Sequence, residues 1–176
     1  LMRFVCIQVL VHHRTEFIGL LKAFCKKKWF RETRTIRFLL GEAIMSDNQH
    51  KIQCVSETAA WVAAYRAQES LRTDRLFNDP YAEKLAGKRG KELVVEIPAA
   101  RERSWAIVVR TRVLDDLIIK AISKGKIDTV INLGAGLDTR PYRLALPSSL
   151  NWVEVDLPAI ISHKEKVLAN DKPVCK

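Results

Sequence analysis

The fold is decided by Asp128-Thr-Val-Ile-Asn-Leu-Gly-Ala-Gly-Leu-Asp-Thr-Arg140, together with Asn151-Trp-Val-Glu-Val-Asp156. The first stretch is typical of a buried parallel strand that runs into a glycine turn and a helix start. The second is typical of another strand, which ends in a carboxylate. Together they predict the first half of a nucleotide-cofactor crevice, where glycines admit the ligand close to the backbone and an acidic side chain holds a ribose.

The glycine pattern departs from the dinucleotide-binding motif at its third position, where Thr139 stands in place of glycine. In a dinucleotide fold that glycine lets the helix pack close to the strand, so that its N-terminus meets the pyrophosphate. Thr139 therefore favours a ligand without phosphates and makes a nicotinamide oxidoreductase the least favoured function. Asp156 follows Gly134 by 22 residues and stands where ribose hydroxyls would bind. A purely structural turn with a solvated Asp156 is the alternative.

Helices are predicted ahead of this pattern. The alanine-rich segment Thr58–Ser70 predicts a helix that Ser56 can cap. Asn78-Asp-Pro80 predicts a turn, Tyr81–Ala86 a short helix that ends near Gly87, and Lys88–Lys91 a basic, glycine-broken loop.

A second long helix is predicted from Arg101 to Ser123, with Gly125 as its stop. Its predicted apolar face holds Ile107, Leu114, Ile118 and Ala121, with Val113 and Leu117 beside them. Thr129–Leu133 and Asn151–Asp156 are the predicted strands. Pro141 suits the first turn of the helix between them, which Tyr142 to Leu146 continue.

The positive charge of the chain lies mainly in its first quarter. The formal net charge is +10, and residues 1–44 hold nine Lys or Arg against three acids, a net of +6. The remaining 21 basic and 17 acidic residues give only +4. A basic leader on a nearly balanced domain is weak support for nucleic-acid binding. Three interpretations of residues 1–44 stay open: a helix that contacts a membrane surface or nucleic acid, an organellar leader, and a non-native or disordered leader. The polar run from Met45, which resembles an ordinary protein N-terminus, favours the last.

Metal and membrane chemistry are not predicted. Cys6, Cys25, Cys54 and Cys175 form no CxxC pair, which favours free thiols in a reducing cytoplasm. The pair His12-His13 lacks further ligands, so no metal site is expected. Leu1–Val11 is too short to span a bilayer.

Four ordered motifs resemble the leucine carboxyl methyltransferase superfamily, and most closely its bacterial S-adenosylmethionine-dependent O-methyltransferases of the polyketide-synthesis type. One of them is Leu133-Gly-Ala-Gly-Leu-Asp-Thr-Arg-Pro-Tyr-Arg-Leu144, taken together with Val153-Glu-Val-Asp-Leu-Pro158 and Lys164. The helical lead-in supplies the rest: Thr58-Ala-Ala with Arg66-Ala-Gln-Glu-Ser70, Leu76-Phe-Asn-Asp-Pro-Tyr-Ala82, and Val109-Arg-Thr-Arg with Asp115-Asp116. The resemblance covers about Val55 to Lys172 and does not reach residues 1–50.

The resemblance implies an α/β, Rossmann-like class I methyltransferase fold, of which this chain carries the N-terminal part with a helical lead-in. Residues 45–125 would be the lead-in or cap, and residues 126–176 the start of the cofactor domain. The implied cofactor is S-adenosyl-L-methionine, and the implied acceptor is a small molecule or a protein C-terminal carboxylate.

The resemblance also assigns site residues. Arg110 would pair with the methionyl carboxylate of the cofactor, because a guanidinium fork fits a carboxylate with two hydrogen bonds. Arg66 would be a second basic contact, Gly134 and Gly136 would line the turn under the methionine part, and Asp156 would accept both ribose hydroxyls.

Three further assignments depend on the residues themselves. Asp138 is expected to cap the following helix, and His163 is expected at the surface. No residue is assigned as catalytic, since a carboxylate acceptor needs no general base, whereas a hydroxyl acceptor needs one.

The chain supplies only about two strands of a methyltransferase sheet. We therefore expect residues 45–176 alone to show an exposed apolar sheet edge, weak or absent cofactor binding and no turnover. Two other functions stay open: a non-catalytic remnant or interaction module, and a nucleic-acid-associated protein that uses basic residues 22–37.

Overall fold

The computed structural model describes the backbone of residues 4–8, together with residues 55–97, 104–125 and 127–176. One compact unit comprises residues 1–9 and 50–176 and holds every element named below, while a second unit, residues 10–49, lies outside the described residues. The predictions for His12-His13 and for residues 22–37 therefore fall outside what the structure describes.

The described elements are three strands and five helices. In chain order they are β1 (Phe4–Gln8), α1 (Val55–Ser70), α2 (Ala82–Glu96), α3 (Ser104–Gly125), β2 (Thr129–Leu133), α4 (Arg140–Arg143), β3 (Asn151–Val155) and α5 (Pro158–Val167). The architecture is mixed α/β with a small parallel sheet, as the sequence predicts at this level. The domain boundaries at residues 44 and 125 stay predictions.

The sheet has the order β1-β2-β3, and both strand pairs are parallel. Thr129 of β2 is opposite Asn151 of β3, so the two strands end together at their carboxyl ends. On its other edge β2 pairs with Phe4–Gln8, a strand that the sequence analysis placed within the leader and did not predict. Because β2 is nearly continuous in β-branched residues and buried, both of its edges need a partner.

The side chains of strand β3 alternate between half-buried and exposed positions. Trp152 and Glu154 are half-buried, while Val153 and Val155 remain 45% and 40% exposed. Val153 and Val155 therefore form an exposed apolar face on β3, one of the two outer strands of the described sheet.

Helix α1 begins at Val55, so Ser56 lies inside the helix and the predicted cap at Ser56 is wrong. Ala63 and Ala64 of α1 pack with Leu85 and Ala86 of α2 in an apolar cluster that also contains Leu137, Ile160 and Leu168. The two helices approach closely at Gly90, where an added Cβ would lie 2.5 Å from the carbonyl oxygen of Ala60.

The predicted loop Lys88–Lys91 is wrong, because helix α2 continues to Glu96. Gly87 interrupts it with φ +57° and ψ −162°, as expected for a helix end, but the helix resumes at once. Leu93 gives the second half of α2 a buried anchor. The basic side chains of Lys88, Arg89 and Lys91 form ion pairs with glutamates. For example, Arg89 Nε donates to Glu57 Oε1 at 2.8 Å.

Helix α3 buries a narrower and more polar stripe than predicted. Ile107 and Ile118 are buried as expected, but Val113 and Leu117 are each 48% exposed. The buried positions between the two isoleucines are polar, namely Thr111 and Asp115. Ile118 packs with Val130, Leu150 and Cys175 in a second apolar cluster, joined by Leu114, Ile122, Ile127, Leu146 and Trp152.

Helix α4 is a single turn, and its end at Arg143 is earlier than the predicted Leu146. Pro141 occupies its first turn, as predicted. The carboxylate of Asp138 accepts a hydrogen bond from the backbone N–H of Arg140 at 2.8 Å, so Asp138 caps the start of α4. Thr139 is the residue directly before the helix.

Candidate functional site

The glycine turn and Asp156 lie side by side at the carboxyl end of the sheet. Gly134 and Gly136 have φ values of +66° and +55°, which side chains with a Cβ rarely adopt. The backbone N–H of Gly134 donates to the carbonyl of Val155 at 2.8 Å. The N–H of Gly136 donates to Asp156 Oδ2 at 2.6 Å. These two hydrogen bonds fix the turn after β2 against the last residue of β3 and the residue that follows it.

The carboxylate of Asp156 keeps acceptor capacity beyond these contacts. Oδ2 accepts from Gly136, and Oδ1 accepts from the backbone N–H of Leu157 at 2.7 Å. Each carboxylate oxygen carries two lone pairs, so each can accept one further hydrogen bond. A ligand with two adjacent hydroxyl donors would suit this arrangement.

Helix α1, which precedes the turn in the chain, packs against the turn. An added Cβ on Gly136 would lie 3.6 Å from the Cβ of Ala59, so α1 is in ordinary contact distance of the turn. Arg66, farther along α1, donates from Nη2 to the carbonyl of Leu137 at 2.6 Å. Arg66 thus contacts the loop that follows the turn, and its Nη2 is occupied by backbone.

Arg66 is the first member of a buried ion cluster, which we define as Arg66, Asp79, Asp115, Asp138, Arg140 and Arg143. Arg66 Nε lies 3.1 Å from Asp79 Oδ2. Burial lowers the pKa of Arg66, and the negative charges of Asp79 and Asp138 oppose that effect. The helical lead-in and the loop after β2 therefore meet through charge as well as through apolar packing.

Arg140 ties two carboxylates of the cluster together. Its Nε donates to Asp115 Oδ1 at 2.7 Å, and its Nη1 donates to Asp138 Oδ2 at 2.6 Å. Burial alone would lower the pKa of Arg140, but Asp138 and Asp115 raise it above its ordinary value. Burial alone would raise the pKa of Asp138, but Arg140, Lys164 and the N–H of Arg140 hold that pKa well below its usual range.

Arg143 is the last member of the ion cluster, and Thr139 forms a hydrogen bond to it. Arg143 forms a two-pronged pair with Asp115, with Nη1 to Oδ2 at 2.7 Å and Nη2 to Oδ1 at 2.9 Å. Thr139 is fully buried, and its Oγ1 donates to Asp79 Oδ2 at 2.6 Å. The hydroxyl that replaces the third glycine is therefore used in a hydrogen bond to the lead-in.

Arg110 differs from the other arginines of this region. Among the described residues no carboxylate lies within ion-pair distance of it, and it makes no hydrogen bond to them. Burial, together with the positive charges of Arg140 and Arg66, lowers the pKa of Arg110 to about 10. With three carboxylates and three arginines in the ion cluster, Arg110 adds a positive charge that this cluster does not neutralise. The region is thus suited to bind an anion.

A further ion pair, with a buried lysine and a partly buried glutamate, joins α5 to β3. Lys164 of α5 is buried and donates from Nζ to both carboxylate oxygens of Glu154, at 2.7 and 2.6 Å. Burial raises the pKa of Glu154, although Lys164 opposes that effect. This pair fixes α5 against β3, and so fixes the backbone on both sides of Asp156.

An open concavity of about 330 Å³ adjoins the loop after the turn. It is lined by residues of α1, α2 and α5 and by Leu137, and His163 lies on its wall. His163 is exposed, as the sequence analysis expected.

The described residues contain no group of three or more His, Cys, Asp or Glu arranged to hold a metal ion. None of the helices in the same residues combines the length and the apolar character that crossing a bilayer requires.

The structure brings most predicted site residues together. The N–H of Gly136 contacts Asp156, that of Gly134 contacts the preceding residue Val155, and Arg66 contacts the adjoining loop. Arg110 is close enough to Arg66 and Arg140 for their charges to lower its pKa. The cofactor roles of these residues stay predictions.

The ion cluster was not foreseen. Its members stand in the four motifs that carry the family resemblance, so a signal was present in the sequence. Charged residues 13 to 28 positions apart in a chain carry no indication of which will pair, because pairing depends on tertiary contacts.

Comparison with known proteins identifies the family to which the sequence is similar. The sequence model of the leucine carboxyl methyltransferase family matches residues 59–175. A protein of Streptomyces coelicolor is 41% identical over 125 residues, which are 66% of this chain and 44% of that protein. A Frankia alni protein is 40% identical over 119 residues, 65% of this chain and 42% of its own.

A Mycobacterium avium protein is 40% identical over 130 residues, which cover 67% of this chain and 42% of that protein. All three carry the provisional name S-adenosyl-L-methionine-dependent methyltransferase. The chain spans less than half the length of these relatives.

Proposed function

This chain belongs to the leucine carboxyl methyltransferase family, and we propose that its described residues form the part of an O-methyltransferase that binds S-adenosyl-L-methionine. The observation that carries the proposal is the contact between the glycine turn and Asp156, in which the N–H of Gly136 donates to Asp156 Oδ2 at 2.6 Å. The glycine turn is therefore in hydrogen-bond contact with a carboxylate that can still accept hydrogen bonds from a ligand.

The fold of the site is Rossmann-like in this proposal. Parallel strands β2 and β3 end together, and the glycine turn and Asp156 follow their carboxyl ends. Ligands of open α/β sheets bind in the crevice outside the carboxyl ends of the strands. The short helix α4 begins after the loop 137–139, and the three loop residues carry side chains rather than the glycine a pyrophosphate would require.

Asp156 binds the ribose of the cofactor in this proposal. Its two oxygens each keep one lone pair, and a ribose presents two neighbouring hydroxyl donors. The hydrogen bonds from Gly136 and Leu157 hold the carboxylate plane in place before the ligand arrives.

Arg110 binds the methionyl carboxylate. It is the cation of this region that the described carboxylates leave unpaired, and its lowered pKa shows that its charge is costly where it stands. An incoming carboxylate would offset that cost with a charge-assisted, two-pronged hydrogen bond. Arg66 contributes positive charge nearby while its Nη2 holds the carbonyl of Leu137.

When bound, S-adenosyl-L-methionine supplies a methyl group on a sulfonium, which is already an excellent leaving group. The residues of this chain then contribute alignment of the cofactor and exclusion of water. An acceptor carboxylate would need no general base, whereas an acceptor hydroxyl would need a group to take its proton. The acceptor, a small molecule or a protein C-terminal carboxylate, and a cytoplasmic location belong to this proposal.

The test is a titration of the ¹⁵N-labelled chain with S-adenosyl-L-methionine, followed by NMR up to millimolar ligand so that weak binding is measured. We expect saturable shifts at the amides of Gly134 and Gly136. Asp156→Ala and Arg110→Met should each weaken the affinity at least tenfold, because each removes a charge-assisted contact worth about 1.5–3 kcal/mol.

The matched control is Asp116→Asn, which alters an exposed carboxylate of α3 that pairs with Arg112. It should leave the affinity unchanged. Absence of shifts at the glycine turn at saturating ligand, or equal affinity in the wild type and Asp156→Ala, would refute the proposal.

A further inference from the structure

Thr139 is buried with no exposed surface, and it contacts a residue 60 positions earlier in the chain. Its Oγ1 donates to Asp79 Oδ2 at 2.6 Å. The same hydroxyl accepts from Arg143 Nε at 3.2 Å. A serine or threonine is required for both contacts, since valine and alanine have no hydroxyl.

Asp79 is itself rigidly held, so the contact fixes Thr139 to a firm partner. Its backbone N–H donates to Ser70 Oγ at 2.8 Å, and its Oδ1 accepts from the backbone N–H of Tyr81 at 3.2 Å. The side chain of Asp79 is fully buried. Pro80 restricts the following backbone, which limits motion of this turn further.

Asp79 reaches the loop after the glycine turn by two routes. One is the direct hydrogen bond from Thr139 at the end of the loop. The other passes through Arg66, whose Nε lies 3.1 Å from Asp79 Oδ2 and whose Nη2 holds the carbonyl of Leu137 at the start of the loop. Both ends of the segment 137–139 are therefore held by one carboxylate.

The segment 137–139 continues directly from Gly136, whose N–H contacts Asp156. A shift of this segment would move the Gly136 amide relative to the carboxylate. Loss of alignment of about 1 Å at a site is enough to weaken binding or rate greatly.

We propose that Thr139 and Asp79 are positioning residues for the cofactor turn: their hydrogen bond, with Arg66, sets the distance between the glycine turn and Asp156. This inference rests on the proposed binding of S-adenosyl-L-methionine at that turn. It gives the helical lead-in a role in cofactor affinity, and it gives a reason for the threonine at the third position of the glycine pattern.

The experiment compares Thr139→Val, Thr139→Ser and Asp79→Asn in the full 176-residue chain. Affinity for S-adenosyl-L-methionine is measured by the same NMR titration, and the melting temperature is measured alongside. Thr139→Val keeps the shape but removes the hydroxyl, and we expect about tenfold weaker affinity. Thr139→Ser retains the hydroxyl and should bind within about twofold of the wild type.

Leu150→Ala is the control for plain destabilisation. Leu150 is buried in the second apolar cluster and precedes β3, at the end of the strand away from Asp156. It should lower the melting temperature at least as much as Thr139→Val while leaving the affinity unchanged. A structural role alone would make affinity follow melting temperature in both variants.

Each outcome of these measurements either supports or overturns the positioning role of Thr139 and Asp79. Weaker binding in Thr139→Val with rescue by serine supports the inference, and so does weaker binding in a folded Asp79→Asn if the valine variant does not fold. Equal affinity in the folded valine variant overturns the inference and leaves the proposed function standing. Loss of affinity in Leu150→Ala in proportion to its melting temperature also overturns it. Absence of binding in the wild type overturns the proposed function itself, and this inference with it.

Discussion

The two ends of β2 are built from opposite kinds of residue. At the amino end, Val130 packs with Ile118, Leu150 and Cys175 in an apolar cluster. At the carboxyl end, Asn132 is also fully buried, but its Nδ2 donates to Asp138 Oδ2 at 2.9 Å, and the ion cluster begins there. Five residues of one strand thus join an apolar region to a highly charged one.

The two ends of β2 therefore differ in what they contribute: one contributes stability to the fold, and the other fixes the geometry of the site. Apolar packing stabilises a fold and tolerates small shifts, whereas buried ion pairs cost desolvation and hold only when each partner is placed well. The charged end of β2 is the end that leads into the glycine turn, whose Gly136 contacts Asp156. We infer that this end fixes the site, and that the apolar end supplies the stability on which the site depends.

The largest expected effect is at Arg140. Arg140→Met leaves Asp115 and Asp138 without their shared partner and should lower the free energy of unfolding by about 3–5 kcal/mol, measured by urea denaturation. Arg112→Met, which removes an exposed pair with Asp116, should cost less than about 1 kcal/mol. Equal losses in the two variants would show that the ion cluster is not a buried, coupled unit.

At the apolar end, Leu150→Ala should lower the free energy of unfolding by about 2–5 kcal/mol, because it removes a fully buried side chain and leaves a cavity. Leu71→Ala changes a side chain that is 81% exposed and should stay within about 0.5 kcal/mol of the wild type. A loss as small in Leu150→Ala as in Leu71→Ala would contradict the cluster.

Acidification should affect the charged end selectively. The folded-state pKa of Asp138 lies below its ordinary value, so its contribution to stability is present above about pH 4 and is lost as the pH falls towards the folded-state pKa. Urea denaturation between about pH 5 and about pH 2 should therefore show a shallower pH dependence in Asp138→Asn than in the wild type. Identical slopes would mean that Asp138 is not ion-paired in the folded chain.

The smallest expected effect has the opposite sign. Arg110 is a partly buried cation that the described carboxylates leave unpaired, and its lowered pKa means that the folded chain disfavours its charge at neutral pH. Arg110→Met should raise the free energy of unfolding by about 1 kcal/mol in the absence of ligand, while it weakens the affinity for the cofactor at least tenfold. A clear loss of stability would indicate a structural partner for Arg110.

The sequence predicts much of this arrangement where the pattern is local. The strand Thr129–Leu133 has the predicted bounds, and the second predicted strand ends only one residue early, at Val155. The glycine turn and the place of Pro141 in the first turn of α4 follow from residues whose backbone preferences are strong.

The errors occurred where tertiary contacts override local preference. Lys88–Lys91 contains a glycine and three basic residues, yet it is helical because Leu93 is buried beyond it and Gly90 packs against α1. The strand Phe4–Gln8 pairs with a partner about 125 residues later, which no local pattern indicates.

For the site, the residue types and their positions at strand ends predicted that the glycine turn and Asp156 line one crevice, but not the hydrogen bond between Gly136 and Asp156. The sequence did not reveal that Arg66 would be committed to Leu137, or that Arg110 would lack a carboxylate partner among the described residues. Both facts depend on which side chains the helical lead-in brings next to the loop after β2.

The most direct test of the central claim is an intermolecular NOE measurement on the isotope-labelled chain with S-adenosyl-L-methionine. We predict NOEs from the ribose protons to the Cβ protons of Asp156, and from the methionine protons of the ligand to the α protons of Gly134 and Gly136. Ribose NOEs only to residues remote from Asp156, or binding without any NOE to the two glycines, would contradict that claim.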